Sequence, residues 1–252
     1  MTAALLFDLD DTLVVEEAAA AATFEATARA AAARHDVDAP RLAVGARARA
    51  RELWHAAPTH TFCRRIGISS WEGMWCRFEG DGDDLRGLRR WAPEYRREAW
   101  RRALADQGVR DDALAEELGE RFGTERRARH EVFADVPAAL ATAGVPLVLV
   151  TNGASCLQRE KLAGSGLADH FDAVVVSGDL GTRKPDGSVF RHALSLVGAP
   201  ASAAVMVGDN LVNDIEGAAA AGLVAVWINR SGDPCPDGVT AISTLAELSS
   251  VL

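Results

Sequence analysis

Short, continuous apolar runs of strand length recur in the two outer parts of the chain. Most are followed by a stretch with helical periodicity. The runs occupy residues 4–7, 146–150, 173–176, 203–207 and 224–228, and helical patterns follow at about 155–165, 188–197 and 213–221. Continuous apolar runs suit strands that are covered on both faces. Because strands that alternate with helices form parallel sheets, the pattern predicts an α/β fold with a doubly wound parallel sheet.

The middle of the chain follows a different pattern. Residues 15–132 contain no strand-like run, and their Ala/Arg/Glu-rich stretches have high helix propensity. Helices are predicted at about 16–35, 41–56, 94–107 and 112–130, with an irregular polar segment at 59–65. The sequence therefore predicts an all-helical module that is inserted after the first strand.

Charge separates the same two parts. Residues 15–132 contain 21 of the 25 arginines and 21 acidic residues, so the net charge of −9 lies in the rest of the chain. An acidic protein with a pI near 5.2 is not expected to have nucleic acid as its main partner. No segment approaches the roughly 18 apolar residues of a membrane helix. The N-terminus lacks the basic start of a signal peptide, so we expect a cytoplasmic protein without a membrane partner.

Polar clusters follow four of the predicted strands. The clusters are Asp8-Leu9-Asp10-Asp11-Thr12, Thr151-Asn152-Gly153, Arg183-Lys184-Pro185-Asp186, and Gly208-Asp209-Asn210 with Asp214 five residues after Asp209. The carboxyl ends of parallel strands meet at one edge of a sheet, where ligands bind. We therefore expect the four clusters to form a single site.

This combination of residue types favours phosphoryl transfer. Asp8, Asp10, Asp209 and Asp214 would concentrate negative charge, which is unfavourable unless a cation or protons compensate it. Carboxylate oxygens suit Mg²⁺, and Lys184 supplies a fixed positive charge. A carboxylate can attack phosphorus, and a second carboxyl can protonate the leaving alcohol and then activate water.

The four clusters in this order resemble the signature motifs of the haloacid dehalogenase superfamily, specifically its phosphatase branch with a helical cap. The matching residues are Asp8-x-Asp10-x-Thr12, Thr151-Asn152, Lys184-Pro185 and Gly208-Asp209-x4-Asp214. The resemblance implies a Rossmann-like catalytic core formed by residues 1–14 and 133–252. Residues 15–132 would form the cap domain. At about 118 residues, this insert is longer than the usual small helical cap.

The resemblance also implies a role for each matched residue. Asp8 would be the nucleophile and Asp10 the general acid and base, with Lys184 as the third catalytic residue. Thr151, Asn152 and Lys184 would bind the phosphoryl group of a small phosphorylated metabolite. The Mg²⁺ ligands would be Asp8, the backbone carbonyl of Asp10, and Asp209, with Asp214 supporting the metal through water or orienting Lys184.

The resemblance leaves several activities open. Dehalogenases of the superfamily lack the second aspartate of the first motif, so the presence of Asp10 favours phosphate chemistry. A phosphatase that acts on a sugar, a nucleotide or a related phosphomonoester is the first hypothesis. A phosphomutase would share Asp10, and a ligand-binding homologue without turnover would retain the fold.

Overall fold

The computed structural model describes residues 2–251, and its contacts group into two compact units. Residues 1–15 and 131–252 form one unit, which we call the sheet unit. Residues 16–130 form the other, the helical unit. No helix within the described residues is both long and apolar enough to cross a membrane.

A six-stranded parallel sheet organises the sheet unit, which confirms the predicted fold class. The strands are β1 (Ala4–Phe7), β2 (Leu147–Thr151), β3 (Ala173–Val176), β4 (Ala204–Gly208), β5 (Val224–Ile228) and β6 (Thr240–Ile242). Their order is β3-β2-β1-β4-β5-β6, and every pairing is parallel. Five strands correspond to the predicted apolar runs within one residue. The sixth strand, β6, was not predicted; it is short and has only one buried residue.

Both faces of the sheet are covered, as the continuous apolar runs require. Along β1, Leu5 and Phe7 belong to one buried cluster, whereas Ala4 and Leu6 belong to another on the opposite face. The accompanying helices are α7 (Val136–Ala141), α8 (Ser155–Ser165), α9 (Ser177–Leu180), α10 (Gly187–Val197), α11 (Gly217–Ala220) and α12 (Leu248–Val251), with a π-helical turn at Leu211–Glu216 before α11. This burial explains why side-chain alternation is absent from the strands.

The helical unit contains four long helices and two short ones. They are α1 (Glu17–Ala32), α2 (Ala39–His55), α3 (His60–Ile66), α4 (Ser70–Gly73), α5 (Asp83–Ala105) and α6 (Asp112–Arg127). The four long helices pack in a closed circuit, α1 on α2, α2 on α5, α5 on α6, and α6 on α1. An aromatic cluster of Trp54, Trp91 and Tyr95 joins α2 to α5, with ring centroids 4.6–5.9 Å apart.

Two predictions for the helical unit are wrong. Residues 59–65 are not irregular, because α3 occupies most of them. The helix predicted to begin near residue 94 begins at Asp83 and runs through Pro93. A proline inside a helix removes one hydrogen bond, and packing of α5 against both α2 and α6 outweighs that loss here.

Candidate active site

The three central strands place the candidate residues side by side. Asp8 directly follows β1, Thr151 ends β2, and Asp209 directly follows β4. Strand β1 lies between β2 and β4, and Phe7 is in register with both Leu149 and Val207. The carboxyl ends of these strands thus form a crevice at the centre of the sheet, which is where ligands bind in open α/β folds.

Lys184 is the cationic centre of this crevice. Its ammonium nitrogen lies 2.6 Å from Asp8 Oδ1, 2.7 Å from Asp214 Oδ1 and 2.6 Å from the carbonyl oxygen of Val150. The Lys184 side chain is only 1% exposed. The ammonium donates hydrogen bonds to Asp8 and to the Val150 carbonyl, and the ion pair with Asp214 adds a third contact that fixes its position.

The buried charges shift one another's ionisation. Burial opposes the charge on Lys184, but the carboxylates of Asp214 and Asp8 outweigh it and raise the lysine pKa. Burial also raises the pKa of Asp8 well above its usual value, with Lys184 opposing and Asp214 adding to the rise. For Asp209, burial and the charges of Asp214 and Asp11 raise the pKa to about 7. A single lysine therefore leaves the carboxylates of this crevice undercompensated.

Three of the four predicted metal residues converge. Asp8, Asp209 and Asp214 each offer a carboxylate oxygen, and these oxygens lie within 4.8 Å of one another. The approach of Asp214 depends on Gly208, since a Cβ atom there would lie 2.4 Å from the Asp214 carboxyl. A compact set of hard oxygen donors with excess negative charge fits a divalent cation such as Mg²⁺.

Hydrogen bonds fix the loop that carries Asp209 and Asp214. The backbone amide of Asp209 donates to Thr12 Oγ1 at 3.0 Å, and Trp227 Nε1 donates to the Asp209 carbonyl at 2.7 Å. The amide of Asn210 donates to Asp214 Oδ2 at 3.0 Å. The first motif, β5 and the start of the π-helical turn thereby hold the two carboxylates in place.

The side chains of Thr151 and Asn152 differ in their surroundings. Asn152 donates from Nδ2 to the Lys184 carbonyl at 3.1 Å and accepts from the Lys184 amide at 2.9 Å. This side chain therefore anchors the backbone of Lys184. The Thr151 hydroxyl is buried without a hydrogen-bond partner among the described residues. Because an unsatisfied buried hydroxyl is costly, Thr151 is a better candidate than Asn152 to donate a hydrogen bond to a ligand oxygen.

The Asp10 carboxyl lies apart from the three converging carboxylates. It forms an ion pair with Lys161 of α8, whose nitrogen is 2.9 Å from Oδ2 and 3.0 Å from Oδ1. Gln158 Nε2 also donates to Asp10 Oδ2 at 3.1 Å. The Asp10 side chain is 25% exposed, so part of it remains accessible while the rest contacts α8.

Lys161 and Gln158 are polar neighbours of the site that the sequence prediction did not include. Both are 1% exposed. Their signal in the sequence is weak, because a lysine and a glutamine on a helix usually face solvent. The rarity of lysine was a clue, since Lys161 and Lys184 are the only two in a chain with 25 arginines.

Comparison of the sequence with known proteins identifies the family of this chain. A family model described as haloacid dehalogenase-like hydrolase matches residues 2–222. Phosphoserine phosphatase from Thermus thermophilus is 40% identical over 233 residues, which cover 91% of this chain and 90% of that protein. Mouse N-acylneuraminate-9-phosphatase is 36% identical over 171 residues, 63% of this chain and 68% of that protein.

A solved structure shows the same architecture over the whole chain. The HAD-hydrolase YfnB from Bacillus subtilis aligns with a TM-score of 0.67 at 23% identity, covering 100% of this chain and 98% of that one. At this identity the likeness concerns the fold. The family model and the phosphatase relatives together support a phosphomonoester hydrolase.

Proposed function

Since the chain belongs to the haloacid dehalogenase-like hydrolase family, we propose that it is a Mg²⁺-dependent phosphatase that forms a phospho-aspartyl intermediate on Asp8. The observation that carries this mechanism is the convergence of Asp8, Asp209 and Asp214, of which Asp8 and Asp214 contact the buried ammonium of Lys184. Asp8 is the carboxylate that follows the central strand, and it is 7% exposed.

In the first step, a carboxylate oxygen of Asp8 attacks the phosphorus of the substrate. The new bond joins phosphorus to the Asp8 oxygen, and the bond from phosphorus to the leaving alcohol breaks. Asp10 gives its proton to the leaving oxygen, so the products of this step are a neutral alcohol and the acyl phosphate. Lys184 offsets the negative charge that accumulates beside Asp8.

In the second step, water hydrolyses the acyl phosphate. Asp10, now a carboxylate, takes a proton from the water as its oxygen bonds to phosphorus. The bond between phosphorus and the Asp8 oxygen breaks, which releases inorganic phosphate and regenerates Asp8. The same carboxyl thus acts as acid and then as base.

Mg²⁺ fits the donor set of this crevice. Asp8, Asp209 and the backbone carbonyl of Asp10 would hold the ion, and Asp214 would support it while orienting Lys184. When bound, Mg²⁺ would neutralise charge on the phosphoryl oxygens and on the clustered carboxylates. Burial, together with the charges of Asp214 and Asp11, raises the pKa of Asp209, and a bound cation would favour its ionised form.

The phosphoryl group would be held beside the end of β2. Thr151 offers a buried hydroxyl, whereas the backbone amide of Gly153 already donates to Ser177 Oγ at 2.8 Å. The Asn152 side chain would act indirectly by fixing Lys184. We assign residues 15–132 the role of a cap domain that selects the substrate, with residues 1–14 and 133–252 as the catalytic core.

The substrate is a small phosphomonoester. The similarity to phosphoserine phosphatase extends over most of both chains, so O-phospho-L-serine is the first compound to test. N-acylneuraminate 9-phosphate and pyrimidine nucleoside monophosphates follow, because shorter parts of the chain resemble phosphatases named for those compounds.

The decisive experiment measures phosphate release from this panel with Mg²⁺ and with a chelator. We expect selective release that disappears with the chelator and in Asp8→Asn. The matched control is Asp237→Asn, because Asp237 is exposed in the turn before β6 and belongs to none of the four clusters. Full turnover in Asp8→Asn would contradict the mechanism. Isomerisation of a sugar phosphate without phosphate release would indicate a phosphomutase, and binding without any turnover a non-catalytic homologue.

A further inference from the structure

The two lysines of the chain both direct a buried ammonium at an aspartate of the first motif. Lys184 contacts Asp8, and Lys161 contacts both carboxylate oxygens of Asp10 at 2.9 and 3.0 Å. Each lysine is 1% exposed. Burying an ammonium group is unfavourable unless it is paired and hydrogen-bonded. The Asp10 carboxyl is therefore one of the interactions that stabilise Lys161 inside the sheet unit.

Gln158 adds a second contact from the same helix. It precedes Lys161 by three residues, so the two side chains lie on one face of α8. Gln158 Nε2 lies 3.1 Å from Asp10 Oδ2 and 2.5 Å from the Asn152 carbonyl oxygen. This amide consequently links the Asp10 carboxyl to the loop that follows β2.

The absence of a side chain at Gly153 makes this link possible. Gly153 has a φ of +142°, and a Cβ atom at this position would lie 2.5 Å from Gln158 Nε2. Any other residue would displace the Gln158 side chain. The sequence Thr151-Asn152-Gly153 thus does more than end a strand, because its glycine leaves room for the Gln158 amide beside Asp10.

We infer that Lys161 and Gln158 are positioning residues that fix the orientation of the Asp10 carboxyl for proton transfer. The inference rests on the proposed function, in which Asp10 is the general acid and base. Three contacts on two oxygens restrict rotation of the carboxyl group, and its exposed portion is left for the reacting oxygen. Since proton transfer requires heavy atoms at about 2.6–3.2 Å, a carboxyl that rotates freely would be a poorer acid.

Positioning of a general acid has a characteristic kinetic consequence. A good leaving group such as p-nitrophenolate needs little help from an acid, whereas an alkoxide needs a proton as the bond breaks. Loss of Lys161 should therefore slow the cleavage of alkyl phosphates much more than the cleavage of p-nitrophenyl phosphate. A purely structural role would slow both substrates to the same extent.

The test compares Lys161→Met, Gln158→Met and Lys161→Arg on p-nitrophenyl phosphate and on the best alkyl phosphate of the panel. For Lys161→Met we expect a loss of about 100-fold on the alkyl phosphate and less than about 10-fold on the aryl one, within the range of acid–base catalysis. Gln158→Met should show a smaller change in the same direction, and Lys161→Arg should recover part of the loss. Arg159→Met is the control, because Arg159 is an exposed residue of the same helix.

A double-mutant comparison shows whether Lys161 acts through Asp10. In an Asp10→Asn background, Lys161→Met should cause little further loss, because the carboxyl that it positions is already gone. Equal losses on both substrates, multiplicative losses in the double variant, or faster cleavage in Lys161→Met would each overturn the inference. If Lys161→Met does not fold, Gln158→Met carries the same test with Lys161 intact. Failure of the proposed function is distinguishable, because it shows in other proteins: a wild type that releases no phosphate, or an Asp8→Asn variant that remains active.

Discussion

The two units of the molecule use charge in different ways. In the sheet unit, both lysines are buried against aspartates at the end of the central strand. In the helical unit, most arginines form ion pairs with carboxylates on the surface, as Arg49 does with Asp106 at 2.9 Å and 34% exposure. Buried pairs depend on each partner to compensate the other, whereas solvent compensates surface pairs. The difference indicates that the burial of an ion pair, more than the number of charges in a unit, decides how much the pair contributes to stability or activity.

One pair in the helical unit resembles those of the sheet unit. Glu16 and Arg126 form an ion pair in which the side chains are 4% and 1% exposed. Arg126 also donates to the Arg129 carbonyl, and its guanidinium lies 4.9 Å from the ring centroid of Trp75. This buried pair joins the start of α1 to the end of α6. Because it is buried but lies in the helical unit, it tests whether burial or membership of the sheet unit makes an ion pair important for stability.

The largest effect is expected at Lys184. Replacement by methionine removes the cation between Asp8 and Asp214, and we expect kcat to fall by about 10²–10³-fold, as for other lost electrostatic contacts in active sites. Steady-state kinetics would measure the loss, with circular dichroism as a check that the variant folds. Arg101→Met, at a surface pair, should retain activity. Comparable activity in the two variants would contradict the distinction between the units.

Glu16 should be the most sensitive charge of the helical unit. Glu16→Gln leaves the Arg126 charge buried without its carboxylate, and we expect the free energy of unfolding to fall by about 3–5 kcal/mol. Urea denaturation would measure the change through its midpoint. Glu16→Leu combined with Arg126→Met should recover most of the stability, because well-packed apolar residues can replace a buried pair. A double variant as unstable as Glu16→Gln would show that the pair itself is essential.

Glu98 should have a smaller effect that depends on pH. Hydrogen bonds from Arg101 lower the pKa of Glu98 to about 2 against partial burial, and those from Arg102 add to the shift. A folded-state pKa below the unfolded one stabilises the protein above the unfolded pKa of about 4.5, and this contribution is lost as the pH falls towards 2. The stability difference between wild type and Glu98→Gln, about 1 kcal/mol at pH 6, should shrink at pH 3. A constant difference would rule out ionisation of Glu98 as its origin.

The smallest effect is expected at Arg49. Its guanidinium contacts both Asp106 and Glu52, yet all three side chains are at least one-third exposed. Arg49→Ala should leave the unfolding midpoint close to that of the wild type, because solvent replaces these contacts. A loss as large as that of Glu16→Gln would mean that the surface network, and not burial, governs the stability of the helical unit.

The sequence predicted the sheet better than the helical unit. Strands β1, β3 and β5 have the predicted bounds because each is a continuous apolar run of strand length. In the helical unit, α3 is rich in polar residues, and its helical conformation depends on tertiary contacts such as burial of Cys63 and Ile66. Local sequence shows strands that are buried on both faces more clearly than short helices that packing stabilises.

The sequence predicted the site residues that lie at strand ends. It did not predict the site residues that a helix contributes from one of its faces. The order of the strands brings Asp8, Thr151 and Asp209 together, and a parallel sheet already implies this. The contacts of Gln158 and Lys161 with Asp10 depend on how α8 is rotated against the sheet. The sequence alone does not determine that rotation. A polar residue on a helix is usually solvated, so Gln158 and Lys161 would be expected to face solvent.

The pairing of β1 has a consequence for how the chain folds as it is synthesised. Leu5 is made before the helical unit, but its partners in the sheet are Leu147 of β2 and Val205 of β4. The entire helical unit leaves the ribosome before either partner, and helix packing within it involves contacts that are closer in sequence. The helical unit can therefore fold early in translation, whereas the crevice at the carboxyl ends of the strands forms only after β4 has emerged and β1 has partners on both edges.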